Sequence, residues 1–222
     1  TQNLLKLLKI RYCILRKQKD LKNIKKLISY ANKNKSIVAC LVEKNTLKSN
    51  YINNRINDKK LILRSQFIKK FLSLAPKDSK IISTTGYTSR ELMELQEESK
   101  RNDIKAFYMV GGMGHSSSVA SGYSINSKKQ VFCLDGDGSI LMHLGALRTI
   151  GYLKNKSFKH IILNNNSHES VGGQTTTAGD IDFKKLSFSV GYKKFFKVSN
   201  SSNLSSIIKK FIKSKGPSLL EV

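Results

Sequence analysis

The sequence predicts an α/β fold built on a parallel sheet with helices on both faces. Short apolar runs suited to strands alternate with stretches of helical periodicity over most of the chain. The strongest runs, 131–134 and 161–163, are continuous rather than alternating, as expected of strands covered on both sides. The unusual glycine- and asparagine-bearing turns follow such runs, at the strand ends where open α/β sheets bind ligands.

The elements follow in order. Residues 11–15 read as a strand. Leu21, Ile24, Leu27, Ile28 and Ala31 make one helical stripe, and residues 36–42 form an apolar run suited to a buried parallel strand. Residues 1–43 therefore read as the tail of a small α/β domain. Residues 44–60 are polar, rich in Asn and Lys and without clean periodicity, and read as an interdomain linker. Residues 61–222 read as a full domain. A helix over 65–74 leads to a strand at 80–83, the turn Thr84-Thr85-Gly86 and a helix over 89–98. A strand at 106–110 runs into Gly111-Gly112-Met113-Gly114-His115 and a helix of small residues. After the runs at 131–134 and 161–163 comes a long polar loop, 167–180. The chain closes with a helix, a strand at 195–198, a helix whose stripe is Leu204, Ile207, Ile208 and Phe211, and a strand at 218–222.

The chain has 222 residues and a formal net charge of +25. Such a charge invites a nucleic-acid reading. The lysines, however, are spread over nearly every segment and sit opposite apolar helical faces, so no nucleic-acid partner is expected; a field of this sign also attracts acidic small molecules. No stretch is long and apolar enough to span a membrane. Cys13, Cys40 and Cys133 fall in strand-like runs with no CxxC pair, which reads as small buried side chains in a reducing, cytoplasmic compartment. Thr1 at the start and Val222 inside a strand read as a fragment open at both ends.

Two motifs carry the chemistry. Gly136-Asp137-Gly138-Ser139 ends one apolar run and Asn164-Asn165 ends the next, with twenty-five residues between Gly138 and Asn164. That interval holds one helix, striped by Ile140, Leu144 and Leu147, and a return strand, which puts both motifs at the same sheet edge. A diphosphate held through magnesium needs oxygen ligands in octahedral array. Asp137 offers a carboxylate, Asn165 an amide oxygen and Ser167 a backbone carbonyl. Gly136 and Gly138 are expected to take positive φ and to let the backbone approach phosphates. Ser139 opens a helix and can face an anion at its positive end. The blander reading is turn glycines with a capping aspartate.

The paired motifs have the spacing of the thiamine diphosphate signature, GDG followed some 25 residues later by NN. With STTGYTSRELMEL at 83–95, MVGGMGHSSSVASG at 109–122, CLDGDGSILMHLGAL at 133–147 and LNNNSHESVGGQ at 163–174, the chain resembles the phosphonopyruvate decarboxylases, with the sulfopyruvate decarboxylases next. The resemblance is good from 81 to 222 and weak before that, where residues 39–47 look like the last strand of a pyrimidine-binding domain.

The resemblance implies a carboxy-lyase dependent on thiamine diphosphate and Mg2+, acting on a small acidic 2-oxo acid. Phosphonopyruvate is the first substrate, yielding phosphonoacetaldehyde and carbon dioxide. Asp137, Asn165 and Ser167 would be the metal ligands. Gly86, Gly136, Gly138, Ser139 and Gln174 would meet the cofactor, and Met113 would prop it into its bent form; a plain core methionine is the alternative. Arg90, just after a strand-end turn, could grip the phosphonate. His115 and His168, beside turns at the cleft, could donate hydrogen bonds or move protons. His143 reads as structural. No residue here matches the family's glutamate, which comes from the pyrimidine domain of a neighbouring subunit, so a homo-oligomer with shared sites is expected and the fragment alone should be inactive.

Overall fold

The computed structural model describes residues 1–47 and 61–222, so most of the expected linker at 44–60 lies outside the described residues. The chain divides into two compact units, Thr1–Asn57 and Asp58–Val222.

The first unit holds helix α1 (Gln2–Leu7), strand β1 (Arg11–Leu15), helix α2 (Leu21–Asn34) and strand β2 (Val38–Val42). The two strands pair in parallel, with Cys13 opposite Cys40. Cys40 is exposed and Cys13 half-buried, so burial of all three cysteines does not hold; a two-stranded sheet leaves one strand face uncovered. Helix α1 carries no sequence signal beyond a few leucines and has no buried residue.

The second unit contains α3 (Arg64–Leu74), β3 (Lys80–Ser83), α4 (Tyr87–Glu98), β4 (Lys105–Tyr108), α5 (Ser116–Ile125) and β5 (Val131–Gly136). It continues with α6 (Asp137–Met142), α7 (Gly145–Leu153), β6 (Phe158–Leu163), the short strands β7 (Ser167–His168) and β8 (Gln174–Thr175), α8 (Phe183–Val190), β9 (Lys194–Lys197), α9 (Leu204–Lys213) and β10 (Ser218–Glu221). Six strands form one sheet in the order β4-β3-β5-β6-β10-β9, every pair parallel. The predicted fold class is thus the observed one. All six residues of β6 are buried, whereas the edge strands β4 and β9 keep exposed positions. One core gathers Phe67, Phe71 and Leu92 of α3 and α4 with Ile208 and Phe211 of α9. The other packs Ala120, Leu147, Ile150 and Phe183, from α5, α7 and α8, against the opposite sheet face.

The order reverses at β3 and β5: from β3 the chain steps outward to β4, and from β5 it steps the other way to β6. Such a switch point opens a crevice at the carboxyl ends of the two strands. Two expectations are corrected nearby. The single helix after Ser139 is two helices, because the backbone breaks at His143 (φ −141°, ψ 53°). The long polar loop is a small antiparallel hairpin, β7 with β8, with one 3-10 turn between the two strands and another after β8. Among the described residues no helix is long and apolar enough to cross a membrane.

Candidate active site

A cleft of about 460 Å³ lies at the switch point. Its walls include Thr84, Thr85 and Tyr87 after β3, Gly136–Ser139 after β5, Asn164 and Asn165 after β6, and Ser167–Val171 from the hairpin. Met113 and the start of α3, including Arg64, complete it.

Asp137 is the first residue of α6 and only 3% exposed. The Thr176 hydroxyl donates to its Oδ2; its other oxygen has no hydrogen bond among the described residues. The two asparagines divide their work. Asn164 Nδ2 donates to Glu221 Oε1 (3.1 Å) and its N–H to the Val222 carbonyl (3.0 Å), tying β6 to β10. Asn165 is exposed on the cleft, its Oδ1 accepting from the Ser167 N–H at 3.1 Å. The turn therefore presents the amide of Asn165 and the backbone of Ser167 side by side.

Two glycine expectations change. Neither Gly136 nor Gly138 has a positive φ, because β5 runs straight into α6 without a reversal. Gly138 is small for a different reason: a Cβ there would run into the His168 ring. Gly86 does take φ +98°, at the N-terminal cap of α4, and a Cβ there would come within 3.0 Å of Ser170 Oγ. Ser139 is buried, and its Oγ accepts from the Thr84 hydroxyl (2.8 Å) and the Gly114 N–H (3.0 Å). It fastens three strand-end loops together instead of opening toward solvent.

The remaining sequence candidates separate. His168 lines the cleft over Gly138. His115 is exposed outside the lining and pairs with His143, ring centroids 4.2 Å apart. Arg90 is exposed, its guanidinium 5.4 Å from the Tyr87 ring centre, and does not line the cleft. Gln174 is likewise exposed, folded back near Gly172.

The cleft arginine is Arg64, which sequence reasoning passed over. Its Nε and one terminal nitrogen grip Glu91 (3.1 and 2.7 Å) and the other donates to Glu169 Oε2 (2.9 Å). Burial disfavours its charge, but the two carboxylates outweigh that and hold its pKa above the ordinary range. Glu169 Oε2 also accepts from Asn165 Nδ2 at 3.5 Å. Among the described residues the lining carries Arg64 against the carboxylates of Glu91, Asp137 and Glu169, an acidic balance inside a strongly basic protein. That suits a divalent cation.

Residues 84–222 match the family described as "Thiamine pyrophosphate enzyme, C-terminal TPP binding domain". The chain belongs to this family. The phosphonopyruvate decarboxylase of Streptomyces viridochromogenes is 33% identical over 155 residues, covering 70% of this chain and 38% of that protein. The sulfopyruvate decarboxylase subunit beta of Methanocaldococcus jannaschii is 40% identical over 116 residues, covering 52% and 59% respectively. The chain thus spans less than two thirds of either relative. A solved structure from Mycobacterium smegmatis, described as a thiamin diphosphate-dependent enzyme, shares the fold with a TM-score of 0.60 at 17% identity, over 82% of this chain and 37% of that one.

Proposed function

We propose that the chain is the diphosphate-binding part of a thiamine diphosphate- and magnesium-dependent decarboxylase of an acidic 2-oxo acid, with phosphonopyruvate as substrate. One observation carries the reading: the ends of β5 and β6 bring Asp137, Asn165 and Ser167 to one cleft beside Gly138. The donor set is all oxygen, with no thiol or imidazole ligand, which fits magnesium. Asp137, Asn165 and the Ser167 carbonyl would hold the metal, and the Gly138 backbone the diphosphate.

Bound there, thiamine diphosphate supplies the carbanion-stabilising chemistry of decarboxylation. The chain's residues bind and orient. Thr176 fixes the Asp137 carboxylate, Ser139 holds the loops of Thr84 and Gly114 in place, and Met113 gives the cleft an apolar wall. His168 is the ionisable group placed to donate or move a proton at the cleft. Arg64 is the cleft cation available to an acidic substrate. The glutamate this chemistry requires we assign to a pyrimidine-binding domain of a neighbouring subunit, residues 1–43 being what this chain carries of such a domain. Val110, 91% exposed, with Val119 and Tyr123 one turn apart on α5, supports a face covered by another subunit.

The relative named as a sulfopyruvate decarboxylase subunit gives sulfopyruvate as the second reading. Carbon dioxide release by the full-length protein with phosphonopyruvate, sulfopyruvate and pyruvate decides. Strong preference for phosphonopyruvate is expected; an equal or faster rate with sulfopyruvate overturns the substrate, and no release from any acid overturns the decarboxylase.

A further inference from the structure

Directly beneath the Gly136–Asp137 turn lies a polar chain sealed inside the second core. Asp135 and His160 are wholly buried and Tyr192 is 3% exposed. His160 Nδ1 lies 3.0 Å from the Tyr192 hydroxyl, and His160 Nε2 lies 3.4 Å from Asp135 Oδ2. The second oxygen of Asp135 accepts the backbone N–H of Gly136 at 3.0 Å. Burial pushes the Tyr192 phenol well above its usual pKa, so it keeps its proton. A buried O–H left unpaired is costly, which sets the directions. Tyr192 donates to Nδ1, Nε2–H donates to Asp135, and Asp135 receives the Gly136 amide.

A carboxylate in an apolar core costs several kcal/mol unless each oxygen is satisfied. Strands buried on both faces read as apolar runs, and Asp135 and His160 interrupt two neighbouring ones at positions two residues apart in register. Register places Cys133 opposite His160, so Cys133, Asp135 and His160 cluster together in the core. What Asp135 does hold is the peptide that begins the Gly136–Asp137 turn.

We infer that Asp135, fixed from below by His160 and Tyr192, is a positioning residue that sets the orientation of the Gly136–Asp137 turn and so the aim of the Asp137 carboxylate at the metal. The inference rests on the reading of Asp137 as a metal ligand. Groups behind metal ligands set affinity by ten- to a hundredfold.

The test is Mn2+ binding to the full-length protein in the presence of thiamine diphosphate, followed by loss of the free-ion signal in electron paramagnetic resonance, with melting temperatures alongside. Asp135→Leu removes the acceptor for the Gly136 N–H and is expected to weaken Mn2+ ten- to a hundredfold. Asp135→Asn keeps an acceptor oxygen and should stay within threefold of wild type. Tyr192→Phe, which frees His160 without opening a cavity, should weaken binding three- to tenfold and carries the test if Asp135→Leu does not fold. Unchanged Mn2+ affinity in Tyr192→Phe and in any folded Asp135→Leu overturns the inference while the metal reading stands. So does equal weakening by Leu and Asn, which would make charge the cause. Absence of Mn2+ binding by wild type overturns both.

Discussion

Arg64 and Glu169, 105 residues apart in the chain, meet at 2.9 Å across the mouth of the cleft. The contact joins the start of α3 to the hairpin that follows Asn165. Its two ends differ. Arg64 is clamped by Glu91, whereas Glu169 is 53% exposed and bonds through one oxygen. An ion pair so open to water stabilises by about 0.2–1 kcal/mol. Glu169→Gln should therefore leave the denaturation midpoint nearly unchanged, yet speed amide exchange across 167–175. Arg64→Ala strands Glu91 as well and should cost about 2–3 kcal/mol. Equal costs for the two variants in urea unfolding would refute this division.

Lys159 sits fully buried in β6, its Nζ donating to the Ser214 carbonyl and to the hydroxyls of Ser214 (3.0 Å) and Ser218 (3.2 Å). Burial pulls its pKa from 10.5 down to about 8. Between those values the unfolded chain holds a proton that the folded chain has released, so raising pH favours folding. Relative to Lys159→Met, the wild type should gain stability from about pH 8 to pH 10.5, by at most about 3 kcal/mol. Urea unfolding of both proteins across that range checks it; parallel pH profiles would show that Lys159 titrates normally.

Gly138→Ala should fold, because the methyl meets the movable ring of His168 rather than backbone. It should nevertheless weaken thiamine diphosphate at least tenfold, since the proposed site brings the diphosphate against the backbone of residue 138. Adding His168→Ala should not restore affinity. Calorimetric titration of the double variant distinguishes the causes: full restoration would leave His168, not the glycine backbone, as the element that matters.

The sequence made the sheet legible because its central strands are covered on both faces and leave continuous apolar runs. It made Asp137 and Asn165 legible because each ends such a run at an interval that holds one helix and one strand. Gly138 is expected from the sequence to take a positive φ, which it does not, and the crowding of a Cβ there by His168 arises only once the hairpin is folded over it. Arg64 escaped because nothing local marks it: its partners Glu91 and Glu169 come together only when α3, α4 and the hairpin are assembled. Arg90 looked the better anion ligand because it follows the β3 turn, but its place on α4 points it to solvent beside Tyr87. Asp135, His160 and Tyr192 are invisible for the opposite reason. Each is a single polar residue in or beside an apolar run, and only the pairing of β5 with β6 and the packing of Tyr192 reveal a chain.

The central claim is that Asp137 and Asn165 hold a divalent cation that binds the cofactor's diphosphate. Calorimetric titration of the full-length protein with thiamine diphosphate, in magnesium and again in EDTA, tests it most directly, with Asp137→Ala as the comparison. The account predicts binding that magnesium strengthens at least a hundredfold and that Asp137→Ala, still folded, loses. Binding indifferent to EDTA and to Asp137→Ala would contradict it.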